Sequence, residues 1–85
     1  MEFSKEEILL MRTVGEVLRL SRQKSGYTSL ETFAYDIGMD PAQYGRCERG
    51  ENMKIISIFR LLSNHNLRLD SFFAAVYRKL KKLNK

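Results

Sequence analysis

The four residues Gly38-Met39-Asp40-Pro41 constrain this chain more than any other stretch. Glycine tolerates the positive φ that reverses a chain at a helix end, and Ile37 before it is the last apolar position of a run containing Phe33 and Ala34. Asp40 offers an N-cap oxygen, and Pro41 falls at the first helical position, where its missing N–H costs nothing. A second helix then runs to Gly50, a natural C′ residue. Residues 33–50 therefore read as helix, tight turn, helix. Ala34 is small enough for the second helix to pack closely.

The flanking patterns are helical too. Ser4 with Glu7 forms a capping box, and Ile8, Met11, Val14, Val17 and Leu18 keep one apolar face up to Gly26. Gly15 inside this run costs about 1 kcal/mol against alanine. It predicts a break near Thr13. Thr28 with Glu31 predicts a second capping box, opening a helix through Ile37 whose core face is Leu30, Phe33, Ala34 and Ile37. After a polar link at Glu51-Asn52, the residues Ile55, Ile56, Ile58, Phe59, Leu61 and Leu62 crowd a fourth helix too broadly for one stripe. They predict burial on more than one side, and Asn64-His65-Asn66 ends the helix. A last helix over about 69–83 carries Phe73, Val76, Leu80 and Leu83 at alternating spacings of three and four, a coiled-coil-like seam suited to a partner.

Eighty-five residues make a single domain over 1–85, too small for a deep enzyme cleft, and 44% apolar content is that of a folded chain. One proline and no alternating β-branched runs point to an all-α architecture. The net charge of +5 favours a polyanionic partner, but residues 1–77 hold equal numbers of acids and bases. The excess lies in Arg78, Lys79, Lys81, Lys82 and Lys85. A lone Cys47 allows no intramolecular disulfide and fits a cytoplasmic protein. Glu2, Glu6 and Glu7 stand where a signal peptide would want positive charge, and no apolar run approaches a membrane span.

The spacing of Gly15, Leu18, Arg22, Gly26, Phe33-Ala34, Gly38-Met39-Asp40, Tyr44 and Glu48-Arg49-Gly50 carries a resemblance. With the apolar series Ile55, Phe59, Leu62, Leu67 and Phe72-Phe73, residues 15–73 resemble the helix-turn-helix domain of XRE/Cro-like transcriptional regulators, the lambda repressor-like group. The resemblance implies a five-helix domain with an extended C-terminal helix. Its core would span about 13–73 and its motif about 29–50, with the helix at 41–49 placed in the DNA major groove. Helical periodicity turns Tyr44, Cys47 and Met39 inward and leaves Ala42, Gln43, Arg46 and Arg49 outside.

By resemblance, the base-reading positions fall on Pro41, Ala42, Gln43 and Arg46. Arg46 can donate two hydrogen bonds to guanine O6 and N7, Gln43 can pair with adenine N6 and N7, and Ala42 can touch a thymine methyl. Pro41 stands where the family often presents a glutamine. Having no polar side chain, it counts with the backbone contacts. Thr28 and Ser29, in a turn one residue longer than usual, can offer hydroxyls and N–H groups to a phosphate. Arg49, Lys54 and Arg60 match the family's later backbone clamps. Arg22 and Glu48 match positions where a structural ion pair fixes the recognition helix. Gly45 is unusual within that helix, allowing either close backbone approach or a tolerated weakness.

No constellation for catalysis, metal or cofactor stands out. His65 is alone between asparagines, and Cys47 lacks a second ligand at metal spacing. The reading is a non-enzymatic, sequence-specific regulator, most simply a repressor, binding double-stranded DNA as a homodimer through its terminal helices. The competing reading is an antitoxin-like or other protein-interaction module on the same fold. A third is a scaffold that has lost DNA binding.

Overall fold

The computed structural model describes residues 2–51, 54–64 and 67–83. It is all-helical over these residues, with helices α1 (Lys5–Lys24), α2 (Leu30–Asp36), α3 (Pro41–Glu48), α4 (Ile55–Asn64) and α5 (Leu69–Leu83). Asn52, His65, Asn66 and Lys85 lie outside the described residues, so the end of the fourth helix is seen only as far as Asn64.

Local chemistry sets the helix ends. The Ser4 hydroxyl accepts from the Glu7 N–H while the Glu7 carboxylate accepts from the Ser4 N–H, closing the expected capping box. Asp40 caps α3 by accepting from the Gln43 N–H, and Pro41 occupies the first turn. Gly38 and Gly50 adopt φ of +72° and +74°, the left-handed conformation that L side chains resist. Around Gly38 the Met39 N–H reaches the Ala34 carbonyl at 2.8 Å and the Gly38 N–H the Tyr35 carbonyl at 3.1 Å. Glu51 and Gly50 bond to Arg46 and Cys47 in the same pattern at the end of α3. Each pair closes a helix end with a left-handed residue at C′.

Two local expectations change. No break occurs near Thr13: α1 runs continuously to Lys24. Gly15 is there because a side chain has no room. A Cβ built on it would meet the Glu48 carbonyl oxygen and lie 2.7 and 2.8 Å from Glu48 C and Cys47 O. The end of α3 rests directly on α1 at this point. The cap of α2 is Ser29 rather than Thr28, its hydroxyl accepting from the Thr32 N–H. Arg22 explains the shift, because its Nη1 donates to the carbonyls of Tyr27 and Thr28 and holds that segment outside the helix.

α1 packs on α3 and α5, α2 on α3, and α4 on α5. The shared core holds Val14, Val17 and Leu18 of α1, Phe33 and Ala34 of α2, Tyr44 and Cys47 of α3, with Ile58, Leu61, Leu62, Phe72 and Val76. Leu30, Ile37 and Met39 pack against it half-buried, so the expected core face of α2 is met. The seam of α5 is partly consumed inside the chain: Val76 is buried, Phe73 and Leu80 are half-buried, and Leu83 is exposed. α4 departs from expectation. Only Ile58, Leu61 and Leu62 are buried, while Ile55, Ile56 and Phe59 face outward.

Candidate nucleic-acid interface

The residues of α3 divide as their periodicity requires. Tyr44 and Cys47 are buried, whereas Ala42, Gln43, Arg46 and Arg49 are exposed and Pro41 is half-buried. Tyr44 fills the space beneath the turn, its ring 5.2 Å from that of Phe33, which meets Tyr27 edge-on at 5.0 Å. Its hydroxyl is buried and, among the described residues, has no partner in hydrogen-bond geometry. Burial, reinforced by the nearby Glu48 carboxylate, pushes its pKa far above the ordinary phenol value. Burial also pushes the Cys47 thiol up, so Cys47 serves as a small apolar filler.

The orientation of α3 is fixed from behind. Arg22 Nε donates to Glu48 Oε2 at 2.6 Å and Nη2 to Oε1 at 3.2 Å, with each side chain only 6% exposed. This bidentate pair is charge-assisted and planar, so it sets direction as well as distance. The hydrogen bond to Glu48 raises the Arg22 pKa further, which keeps the pair ionised. Arg22 also holds the Tyr27 and Thr28 carbonyls, so one side chain ties α1, the entry to α2 and the end of α3 together. The ion pair expected from sequence is present.

Outside, α3 and α4 share a surface. A hollow of about 380 Å³ is lined by Asp40, Gln43, Arg46, Cys47, Glu51, Lys54 and Ser57. A second, of about 210 Å³, is lined by Ile37, Gly38, Met39, Gln43, Ser57, Arg60, Leu61 and Asn64. Gln43 and Ser57 border both. Four residues expected at the site, Gln43, Arg46, Lys54 and Arg60, are thus brought together on one face. Three cations and an amide there can meet phosphates and base edges, while Asp40 and Glu51 temper the positive charge.

The remaining expected residues sit apart from this face. Ala42 is exposed but borders neither hollow. The Ser29 hydroxyl is engaged as a cap, and neither it nor Thr28 lines the hollows. Arg49 turns towards α1, lining a different depression with Phe3, Ile8, Met11 and Arg12, and its Nε bonds Glu51 at 2.7 Å. Pairing of two groups more than half exposed is weak, so Arg49 can exchange Glu51 for another anion. Ser57, Asn64 and Glu51 were missed from the sequence. Ser57 and Asn64 follow Lys54 and Arg60 at helical spacing, and that periodicity could have found them. Gly45 is not pressed by another backbone: a Cβ there would meet Arg49 Nη1 at 3.2 Å and Leu30 Cδ1 at 3.7 Å.

Among the described residues no three His, Cys, Asp or Glu come together in a way that could hold a metal ion. No described helix is long and apolar enough to cross a membrane. No protein-family model matches the chain, and no curated protein matches it significantly.

Proposed function

We propose that this protein is a cytoplasmic, non-enzymatic, sequence-specific DNA-binding regulator of the XRE/Cro-like kind, which presents α3 to the major groove. One observation carries the reading: Gln43 and Arg46 project from a helix whose back is locked by a buried bidentate pair, and they share a face with Lys54 and Arg60. Base-reading groups need rigid presentation, and flanking cations supply the sequence-independent attraction. Arg46 reads guanine and Gln43 adenine, with Ala42 against a thymine methyl. Lys54, Arg60 and, once released from Glu51, Arg49 take the phosphates, together with N–H groups at the starts of α2 and α3 near Thr28, Ser29 and Pro41. Two copies on a pseudo-palindrome, with half-sites about one turn apart, would double the footprint. Repression by occlusion is the simplest outcome.

The exposed Ile55, Ile56 and Phe59 favour a second reading, in which the same fold binds another protein in the manner of an antitoxin. Selection from a random duplex pool by the purified protein separates the two. Enrichment of a palindrome is expected, with affinity falling steeply as salt rises. A folded protein that enriches nothing would refute the DNA reading.

A further inference from the structure

The positive excess of the chain lies wholly in Arg78, Lys79, Lys81, Lys82 and Lys85, since acids and bases balance over residues 1–77. On α5 the exposed residues Tyr77, Arg78, Lys81 and Lys82 form one arc, roughly 140° wide and centred roughly 170° from buried Phe72 and Val76. Among the described residues, only Lys79 of these cations meets a carboxylate, that of Glu16 at 3.3 Å. Arg78 stands three residues before Lys81 and four before Lys82, so like charges repel across one turn. The negative end of the helix dipole accounts for Lys81 and Lys82 in the last turn. It gives no reason for Arg78, or for a tyrosine 61% exposed among the cations. The Lys81 ammonium lies 5.5 Å from the centre of that ring. An exposed cation–π contact is weak, so the ammonium can turn to another anion and free the ring.

This arc is separate from the face beside α3. α1 meets the end of α3 along Met11, Gly15 and Arg22, and it reaches Lys79 of α5 through Glu16. Glu16 lies roughly 120° round α1 from the centre of that stripe. No residue of α5 lines either hollow beside α3.

We infer that the outer face of α5 binds single-stranded nucleic acid, with phosphates on Arg78, Lys81 and Lys82 and a base stacked on Tyr77. The partner follows from the mixture of groups. Cations alone would serve any polyanion, but a flat exposed ring among them matches a strand that offers phosphates and unstacked bases together. A duplex keeps its bases inside the stack, and an acidic protein surface has none, so both leave Tyr77 without a role. An anionic membrane surface rewards large apolar residues beside the cations, and this arc carries Tyr77 alone. Ribose and deoxyribose strands share the chemistry. The contact does not depend on α3 reading DNA.

Fluorescence anisotropy of labelled oligo(dT) and oligo(rU), titrated with the full chain, tests the inference. Micromolar binding of one or both is expected, and the tighter of the two names the strand. Log affinity should fall with log salt at a slope of about −2, the value for three phosphates on a single strand. Tyr77→Ala should weaken binding about tenfold, whereas Tyr77→Phe, which keeps the ring, should stay within about twofold of wild type. Arg78→Ala combined with Lys82→Ala should flatten the salt slope by about 1.4. All three positions are exposed, and circular dichroism checks that helix content and melting are kept. No binding at low salt would overturn the inference, as would binding indifferent to the α5 variants but lost in Lys54→Ala with Arg60→Ala, which would put the strand beside α3. A hairpin duplex bound as tightly as the single strand, with no loss in Tyr77→Ala, would reduce the face to phosphate attraction and overturn the stacking. Capture by phosphatidylserine vesicles or poly-glutamate that depends on α5, with neither oligonucleotide bound, would assign the face to another polyanion. Selection from the duplex pool decides the α3 reading separately, so either can fail without the other.

Discussion

Replacing Gly15 by alanine sets helix propensity against tertiary packing and lets the magnitudes decide. In an isolated helix the change is stabilising by about 1 kcal/mol. In this fold the new methyl would press on the Glu48 carbonyl and sit 2.7–2.8 Å from Glu48 C and Cys47 O. Ordinary carbon contacts begin near 3.5 Å, so α1 and the end of α3 must separate by roughly 1 Å. These atoms are backbone and cannot step aside by changing rotamer. Separation also draws Glu48 away from Arg22, loosening the pair that orients α3. Overpacking of this kind costs about 1–3 kcal/mol, and a rigid neighbour puts Gly15 at the upper end. The net expectation is a loss of about 2 kcal/mol, which for a domain this size lowers the melting temperature by about 10 °C. Urea unfolding and thermal melting monitored by circular dichroism measure it. Gly45→Ala is the internal control, since its Cβ meets only flexible side-chain atoms. It should be neutral or stabilise by up to about 1 kcal/mol. A Gly15→Ala protein as stable as wild type would refute the close seating of α3 on α1.

Glu48→Ala should cost about 3 kcal/mol in urea unfolding, because it leaves the Arg22 charge buried against two carbonyls alone; a loss under 1 kcal/mol would argue against a buried pair. Arg46→Ala should leave stability within about 0.5 kcal/mol and weaken the best DNA site by about 1–3 kcal/mol while relaxing preference at one base position, as quantitative binding to single-base variants would show. The pH response follows from Tyr44 and Cys47, whose folded-state pKa values both lie above their ordinary 10.0 and 9.0. The native state holds these protons longer than the unfolded chain, so the stability they confer is intact below pH 9 and declines as pH rises. The Tyr44 contribution begins to fall near pH 10, at up to about 1.4 kcal/mol per pH unit. Urea midpoints from pH 8 upward should show the decline, and Tyr44→Phe should flatten its upper part.

Much of the fold is written in local chemistry. The Gly38-Asp40-Pro41 signal, the Ser4–Glu7 box and the left-handed Gly50 need only nearest neighbours, and each stands where the chain alone places it. The inward turn of Tyr44 and Cys47 follows from periodicity, because a helix repeats every 3.6 residues whatever surrounds it. The Arg22–Glu48 pair, by contrast, was reached through the family resemblance, since no local rule joins residues 26 apart.

What the tertiary structure decided is everything that depends on distance between elements. Gly15 reads locally as a weak point in a helix, and only the approach of α3 shows it to be a packing site. Ser29 displaces Thr28 as a cap because Arg22, from another helix, claims the Thr28 carbonyl. The six apolar residues of α4 cannot be divided by pattern into core and surface. Which three face outward is set by where α5 and α3 lie, and that division leaves Ile55, Ile56 and Phe59 uncovered. Propensity and periodicity are properties of a segment, whereas contact is a property of two segments, and a chain read one residue at a time carries only the first.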